Sequence, residues 1–119
     1  MTMARRALLL TVLVLIAGAS SLRAEAPREM YVEALAREHV VRTAIAAGSA
    51  SPAVLLEVRA VVAAYRAEVR QHPGSGYSDN ALWQAGRLSL DAFLRFDQSQ
   101  DLDTAVRLLR ALVVTYPTS

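Results

Sequence analysis

From residue 27 onward, apolar residues recur at spacings of three and four, and short polar, proline- or glycine-containing breaks divide the pattern into four stretches. In the first, Tyr31, Ala34, Leu35, Val41 and Ile45 form a rough stripe. Pro27 suits the first turn of a helix, where its missing N–H costs nothing, and Glu29 and Glu33 lie near that helix's positive end. Glu33 with Arg37, and Glu38 with Arg42, are spaced i,i+4, worth about 0.2–0.5 kcal/mol each. His39 reads as a partly exposed helix residue, and the helix fades by Ala47-Gly48.

Ser51-Pro52 is a restart, with Ser51 as cap and Pro52 in the first helical position. Leu55, Val58, Val62, Tyr65 and Val69 then mark a core-facing helix that stops at His72, because a residue before proline avoids helical geometry. Pro73-Gly74-Ser75-Gly76 lacks the lysine and spacing of a phosphate-binding loop and reads as a tight turn. Ser78 or Asp79 is expected to cap the third helix, which runs through Leu82, Trp83, Ala85, Gly86, Leu90 and Leu94 to Phe96. Trp83 is read as a core residue. Gly86 costs roughly 1 kcal/mol against alanine inside a helix, which points to close contact with a neighbouring helix. After the polar break 97–101, Asp101 or Asp103 opens the last helix, with Val106, Leu109, Leu112 and Val113 as its apolar contacts and Asp103–Arg107 as another i,i+4 pair. The expectation is all-α, two antiparallel helix hairpins.

The second and fourth stretches repeat. Shifted by 44 positions, Val62/Val106, Arg66/Arg110, Ala67/Ala111, Val69/Val113, Pro73/Pro117 and Ser75/Ser119 agree. Repeated helix-turn-helix units stack because one unit cannot bury its apolar face alone. The chain ends at Pro117-Thr118-Ser119, where a repeat protein would begin its next helix, so it reads as truncated.

Residues 1–19 are a different kind of sequence. Arg5 and Arg6 precede the apolar run Ala7 to Ala17, and Ala17-Gly18-Ala19 is a small-residue cleavage pattern, as in a secretory signal peptide. The run is roughly ten residues shorter than a spanning helix, so no stable membrane anchor is expected after cleavage. Residues 20–26 form a leader, and 27–119 the helical module. The expected compartment is the periplasm or the exterior. With no cysteine, neither a lipid anchor on cysteine nor a disulfide is available. Cleavage after Ala19 removes two arginines and leaves 11 against 11 acidic residues, a neutral chain that gives nucleic acid no basic patch.

Chemistry-bearing patterns are missing. The two histidines, His39 and His72, are 33 positions apart with no carboxylate motif around them. Asp97, Asp101 and Asp103 lack the spacing and closing glutamate of a calcium loop. Ser75, Ser78 and His72 lie close together without a nucleophile elbow. No catalytic residue, metal ligand or cofactor site is expected within these 119 residues.

Helix hairpins ending in Tyr-Pro-x-Ser resemble tetratricopeptide-like repeats, especially those of bacterial envelope proteins. Gly74 to Gly86 looks like the start of such a repeat: Ala81, Leu82 and Trp83 match its first-helix packing residues and Gly86 its small contact residue. Ala105 and Pro117 match the second-helix alanine and the terminal proline. Gly86 and Ala105 are 19 residues apart, where the common 34-residue repeat allows about 12, so a longer first helix and loop are expected. Tyr77 to Ala85 and Ala105 to Leu109 look most like the N-terminal helical region of exported N-acetylmuramoyl-L-alanine amidases. That resemblance implies a compartment and an envelope or peptidoglycan-associated partner; the zinc-dependent catalytic domain of those enzymes has no counterpart here. The expected role is a non-catalytic scaffold or protein-binding module. The alternatives are the N-terminal arm of such an amidase, or an assembly or cell-division factor built of repeats. First helices usually line the concave surface of hairpin stacks. Asn80, Gln84, Arg87 and Asp91, which share one side of the third helix, are therefore the candidate partner-binding face, a pattern that a plain solvated face also fits.

Overall fold

The computed structural model describes residues 26–119. The export segment 1–19 and the leader up to residue 25 lie outside the described residues. Four helices follow one another: α1 (Pro27–Ala46), α2 (Pro52–Gln71), α3 (Ser78–Phe96) and α4 (Ser99–Thr115). Each packs antiparallel on the next, giving an all-α four-helix bundle.

Local chemistry sets most of the helix ends. Pro27 opens α1, and the Glu29 carboxylate accepts the Ala26 N–H at 3.1 Å. Gly48, at φ +87°, ends it in the left-handed region that glycine enters without steric cost. The Ser51 hydroxyl accepts the Ala53 N–H at 3.2 Å, and Pro52 is the first residue of α2. That helix stops at Gln71, before His72-Pro73.

Two starts differ from expectation. Neither Ser78 nor Asp79 caps α3 from outside. Ser78 is its first residue and is fully buried, where its hydroxyl lies 2.7 Å from the His72 carbonyl and 3.1 Å from the Glu68 carboxylate, with its one proton shared between them. α4 begins at Ser99 instead of at Asp101 or Asp103. Asp97, in the left-handed conformation at φ 55°, turns the chain so tightly that only Asp97 and Gln98 separate α3 from α4. The extra length between Gly86 and Ala105 therefore sits in the helices, not in a longer loop.

The repeat has a counterpart in the backbone. His72 and Tyr116, 44 positions apart, have φ/ψ of −135°/57° and −127°/64°. Their N–H groups donate to the carbonyls four residues back at 2.8 and 2.9 Å. Ser75 donates to the His72 carbonyl at 3.0 Å, as Ser119 does to Tyr116 at 3.1 Å. Helices α2 and α4 thus run into the same turn.

The core is built from Leu55, Val58, Val61, Val62 and Tyr65 of α2, Ala81, Leu82, Ala85, Leu88 and Ala92 of α3, Ala34 and Val41 of α1, and Leu108 of α4. On α4 the buried positions are Ala105 and Leu108, whereas Val106 and Val113 are exposed. Their equivalents on α2, Val62 and Val69, are inside because α2 lies between α1 and α3. No described helix covers the far side of α4. Leu35, expected in the α1 stripe, is likewise 41% exposed.

Gly86 marks the closest approach of α3 to α4: a Cβ there would lie 2.6 Å from Leu109 Cδ2 and 2.8 Å from its Cγ. Replacing Gly86 with alanine sets about 1 kcal/mol of helix propensity against an overpacking cost of about 1–3 kcal/mol. Urea unfolding is expected to show Gly86→Ala destabilising by about 1 kcal/mol in the native background. In a Leu109→Ala background the same change is expected to stabilise by about 1 kcal/mol. The same sign in both backgrounds would refute the contact.

Candidate functional site

The candidate face is built on a buried carboxylate. Glu38 of α1 is 7% exposed and accepts hydrogen bonds from three directions. The Tyr65 hydroxyl of α2 donates to Oε1 at 2.6 Å, and Arg42 Nε, one turn along α1, donates to Oε2 at 2.6 Å. Gln84 Nε2 of α3 approaches Oε1 at 3.4 Å. Gln84 in turn accepts the Tyr31 hydroxyl through its own Oε1 at 2.6 Å. Arg42 carries a second ion pair, from Nη1 to Asp91 Oδ2 at 2.7 Å. Tyr31 meets Gln84 and Arg42 meets Asp91 in rising order on both helices, so α1 and α3 run parallel.

Between these two helices lies a groove of about 480 Å³. Tyr31, Glu38 and Arg42 form its α1 wall; Asn80, Trp83, Gln84 and Arg87 form its α3 wall. Past the Arg42–Asp91 bridge it leads into a second hollow of about 430 Å³, lined by Ile45, Ala46, Leu94 and Arg95. Tyr31 packs 6.0 Å from the Tyr65 ring and 5.3 Å from Tyr77, which fixes the floor at one end.

The four sequence-derived candidates divide into two pairs here. Gln84 and Asp91 are engaged within the protein, by Tyr31 and Glu38 and by Arg42. Asn80 and Arg87 line the groove with exposed side chains. Trp83 is not in the core: it is 48% exposed, and Arg87 Cζ lies 5.5 Å from its ring centroid. Ala81, Leu82, Ala85, Leu88 and Ala92 fill the inward arc of α3, which leaves Trp83 on the side that opens toward α1. Its spacing from Asn80 and Arg87, three and four residues, was the available signal.

Glu38, Tyr31 and Arg42 were not among the candidates. Glu38–Arg42 reads from sequence as a surface pair, and only the arrival of Tyr65 from α2 makes it an interior one. The other α1 pair is not formed: Arg37 bonds across to Glu57 of α2 at 2.8 Å. A separate bridge joins Arg59 of α2 to buried Asp101 at the N-terminal turn of α4, at 2.8 Å, where the helix dipole also favours the negative charge.

These contacts set the titration behaviour. Burial, together with the bond to Glu38, pushes the Tyr65 phenol far above its ordinary value of 10.0. Tyr31 shifts the same way, through burial and the nearby Glu38 charge. Burial works against the Arg42 charge, but the bonds to Asp91 and Glu38 together outweigh it and raise its pKa. The Asp101 hydrogen bond raises that of Arg59. Among the described residues, no group of three or more His, Asp or Glu side chains is placed to hold a metal ion, and no helix is long and apolar enough to cross a membrane.

Comparison with family models, curated proteins and solved structures finds no match to this chain.

A phenol with a raised folded-state pKa keeps its proton after the unfolded chain has lost it, so stability falls as pH rises past about 10. The expected slope in urea titrations is up to about 1.4 kcal/mol per pH unit from Tyr65. Tyr65→Phe should flatten that slope and cost about 1.5–3 kcal/mol at neutral pH, because Glu38 loses a donor. An unchanged alkaline slope in this variant would contradict the assignment.

Proposed function

We propose that this chain is a tetratricopeptide-like scaffold of the bacterial cell envelope that takes an extended segment of a partner protein in the α1–α3 groove. The observation that carries the reading is the groove wall formed by Asn80, Trp83 and Arg87, whose side chains are exposed and make no hydrogen bond within the described residues, above a floor locked by Glu38. The Asn80 amide suits both a main-chain N–H and a carbonyl. Trp83 offers a flat apolar face, and Arg87 is the groove cation with no carboxylate partner among the described residues, which favours an acidic residue in the ligand. The matching turns at His72 and Tyr116 support the repeat architecture, and residues 1–19 support export. The resemblance of Tyr77 to Ala85 to exported amidases supports a second reading. In it the module is the positioning arm of a zinc-dependent N-acetylmuramoyl-L-alanine amidase, and its partner is associated with peptidoglycan.

A photo-crosslinking residue at Asn80 is expected to capture an envelope protein in living cells, and one at exposed Leu56 on α2 is not. Arg87→Glu should abolish the adduct, and Trp83→Ala should weaken the interaction by about 2 kcal/mol or more, as for a central aromatic anchor. Equal capture from Leu56 would sink the groove assignment. Co-sedimentation with purified sacculi that survives protease treatment of the sacculi would move the reading to a cell-wall ligand. Mass spectrometry of the exported protein should find Ser20 as its first residue; an intact N-terminus would remove the envelope from the proposal.

A further inference from the structure

Among the described residues, no helix covers the outer face of α4 or of α1. On the outer face of α4, Val106, Leu109, Val113 and Val114 surround a hollow of about 490 Å³ lined almost wholly by carbon. Val113 is 69% exposed and Val114 80%. At the other end, α1 shows solvent a stripe of small apolar residues, Val32, Ala36 and Val40, with Val40 65% exposed. Stacked-repeat proteins ordinarily close each end with a polar face.

The repeat states how the α4 face is meant to be covered. Val62 and Val69, the α2 equivalents of Val106 and Val113, are buried and partly buried, and α2 packs antiparallel on the helix that opens the next hairpin. Among the described residues, the other helix that opens a hairpin and has an outer face no described helix covers is α1. Charge agrees with the match. Arg107 and Arg110 flank the α4 stripe, Glu29 and Glu33 flank the α1 stripe, and none of the four takes part in an ion pair among the described residues. Antiparallel docking sets the acidic N-terminal half of α1 against the C-terminal half of α4, which brings Glu33 beside Arg110.

We infer that the outer face of α4 is an interface for the α1 face of a second copy of this chain, so that copies stack head to tail as the second hairpin stacks on the first. Such an interface is heterologous and leaves a free face at each end, so it builds open chains instead of closed dimers. A single helix pair is smaller than a standard protein interface, and the affinity expected is on the order of tens of micromolar.

Sedimentation of the purified protein should give a mass that rises with concentration through dimer to higher species. Val113→Asp and Val40→Asp, each on an exposed position, should each be monomeric with unchanged circular dichroism. Mixed together, the two variants should form a 1:1 dimer and nothing larger, since one keeps only its α1 face and the other only its α4 face. Arg110→Glu should weaken association at least about tenfold, and adding Glu33→Arg should restore it. A native protein that stays monomeric, a mixture that stays monomeric, or a Val113→Asp variant that still associates would each overturn the inference.

Discussion

A carboxylate taken out of water is tolerated only where donors surround it, and Glu38 is the point at which three of the four helices supply them. Tyr65 approaches from α2, Arg42 from the next turn of α1, and Gln84 from α3. Withdrawing any one of them leaves the largely buried Glu38 carboxylate short of a donor, which disfavours other relative arrangements of the three helices. Apolar packing alone would not fix α1 so narrowly. Its stripe buries only Ala34 and Val41 fully, and residues that small allow a helix to slide or rotate. The polar joint supplies the specificity that the core of α1 lacks, and the groove above it inherits its width from the same atoms.

Local signals were the legible part of the fold. Ser51-Pro52 and His72-Pro73 act through their own backbone, and α2 begins and ends where they stand. Gly86 was equally readable, because a glycine inside a helix has few physical justifications besides a close neighbour. What escaped needed knowledge of a second element. Ser78 looks like a cap until Glu68 is seen waiting inside for its hydroxyl. Val106 and Val113 look like core until α4 is found to lack an outer neighbour. The candidate face was half legible. The spacing of Asn80, Gln84, Arg87 and Asp91 placed them on one side of α3, but which of them are engaged internally depends on Tyr31 and Arg42, residues of another helix. Trp83 was misread because size and hydrophobicity argue for burial, whereas the alanines beside it had already filled the available depth.

The small residues of α3 connect these points. Ala81, Ala85 and Ala92 allow it to sit closely among its neighbours, and Gly86 draws α4 in at the level of Leu109. A helix so closely held presents its remaining face, Asn80 to Asp91, as a rigid wall. Larger residues at those sites would spread the bundle and carry the wall out of reach of α1.

The two hairpins are also tied at their tips. Arg95, near the end of α3, donates to the carbonyls of Gly48 and Ser49 in the α1–α2 turn. At the opposite end Tyr116 donates to the Pro73 carbonyl of the turn between the hairpins at 2.5 Å, and within the second hairpin Ser119 donates to Asp79 at 2.8 Å. Fastened by Arg95 at one end, by Tyr31–Gln84 toward the other and by Glu38 and Arg42–Asp91 between them, the groove has the build of a slot of set calibre and not of a jaw. On the proposed reading, a segment entering it would lose its own freedom while the protein lost little, so selectivity would fall on the shape and charge of the incoming chain. On that reading such a slot would sort partners by whether they fit, and loosening the Arg95 tie would be the simplest route to accepting more of them.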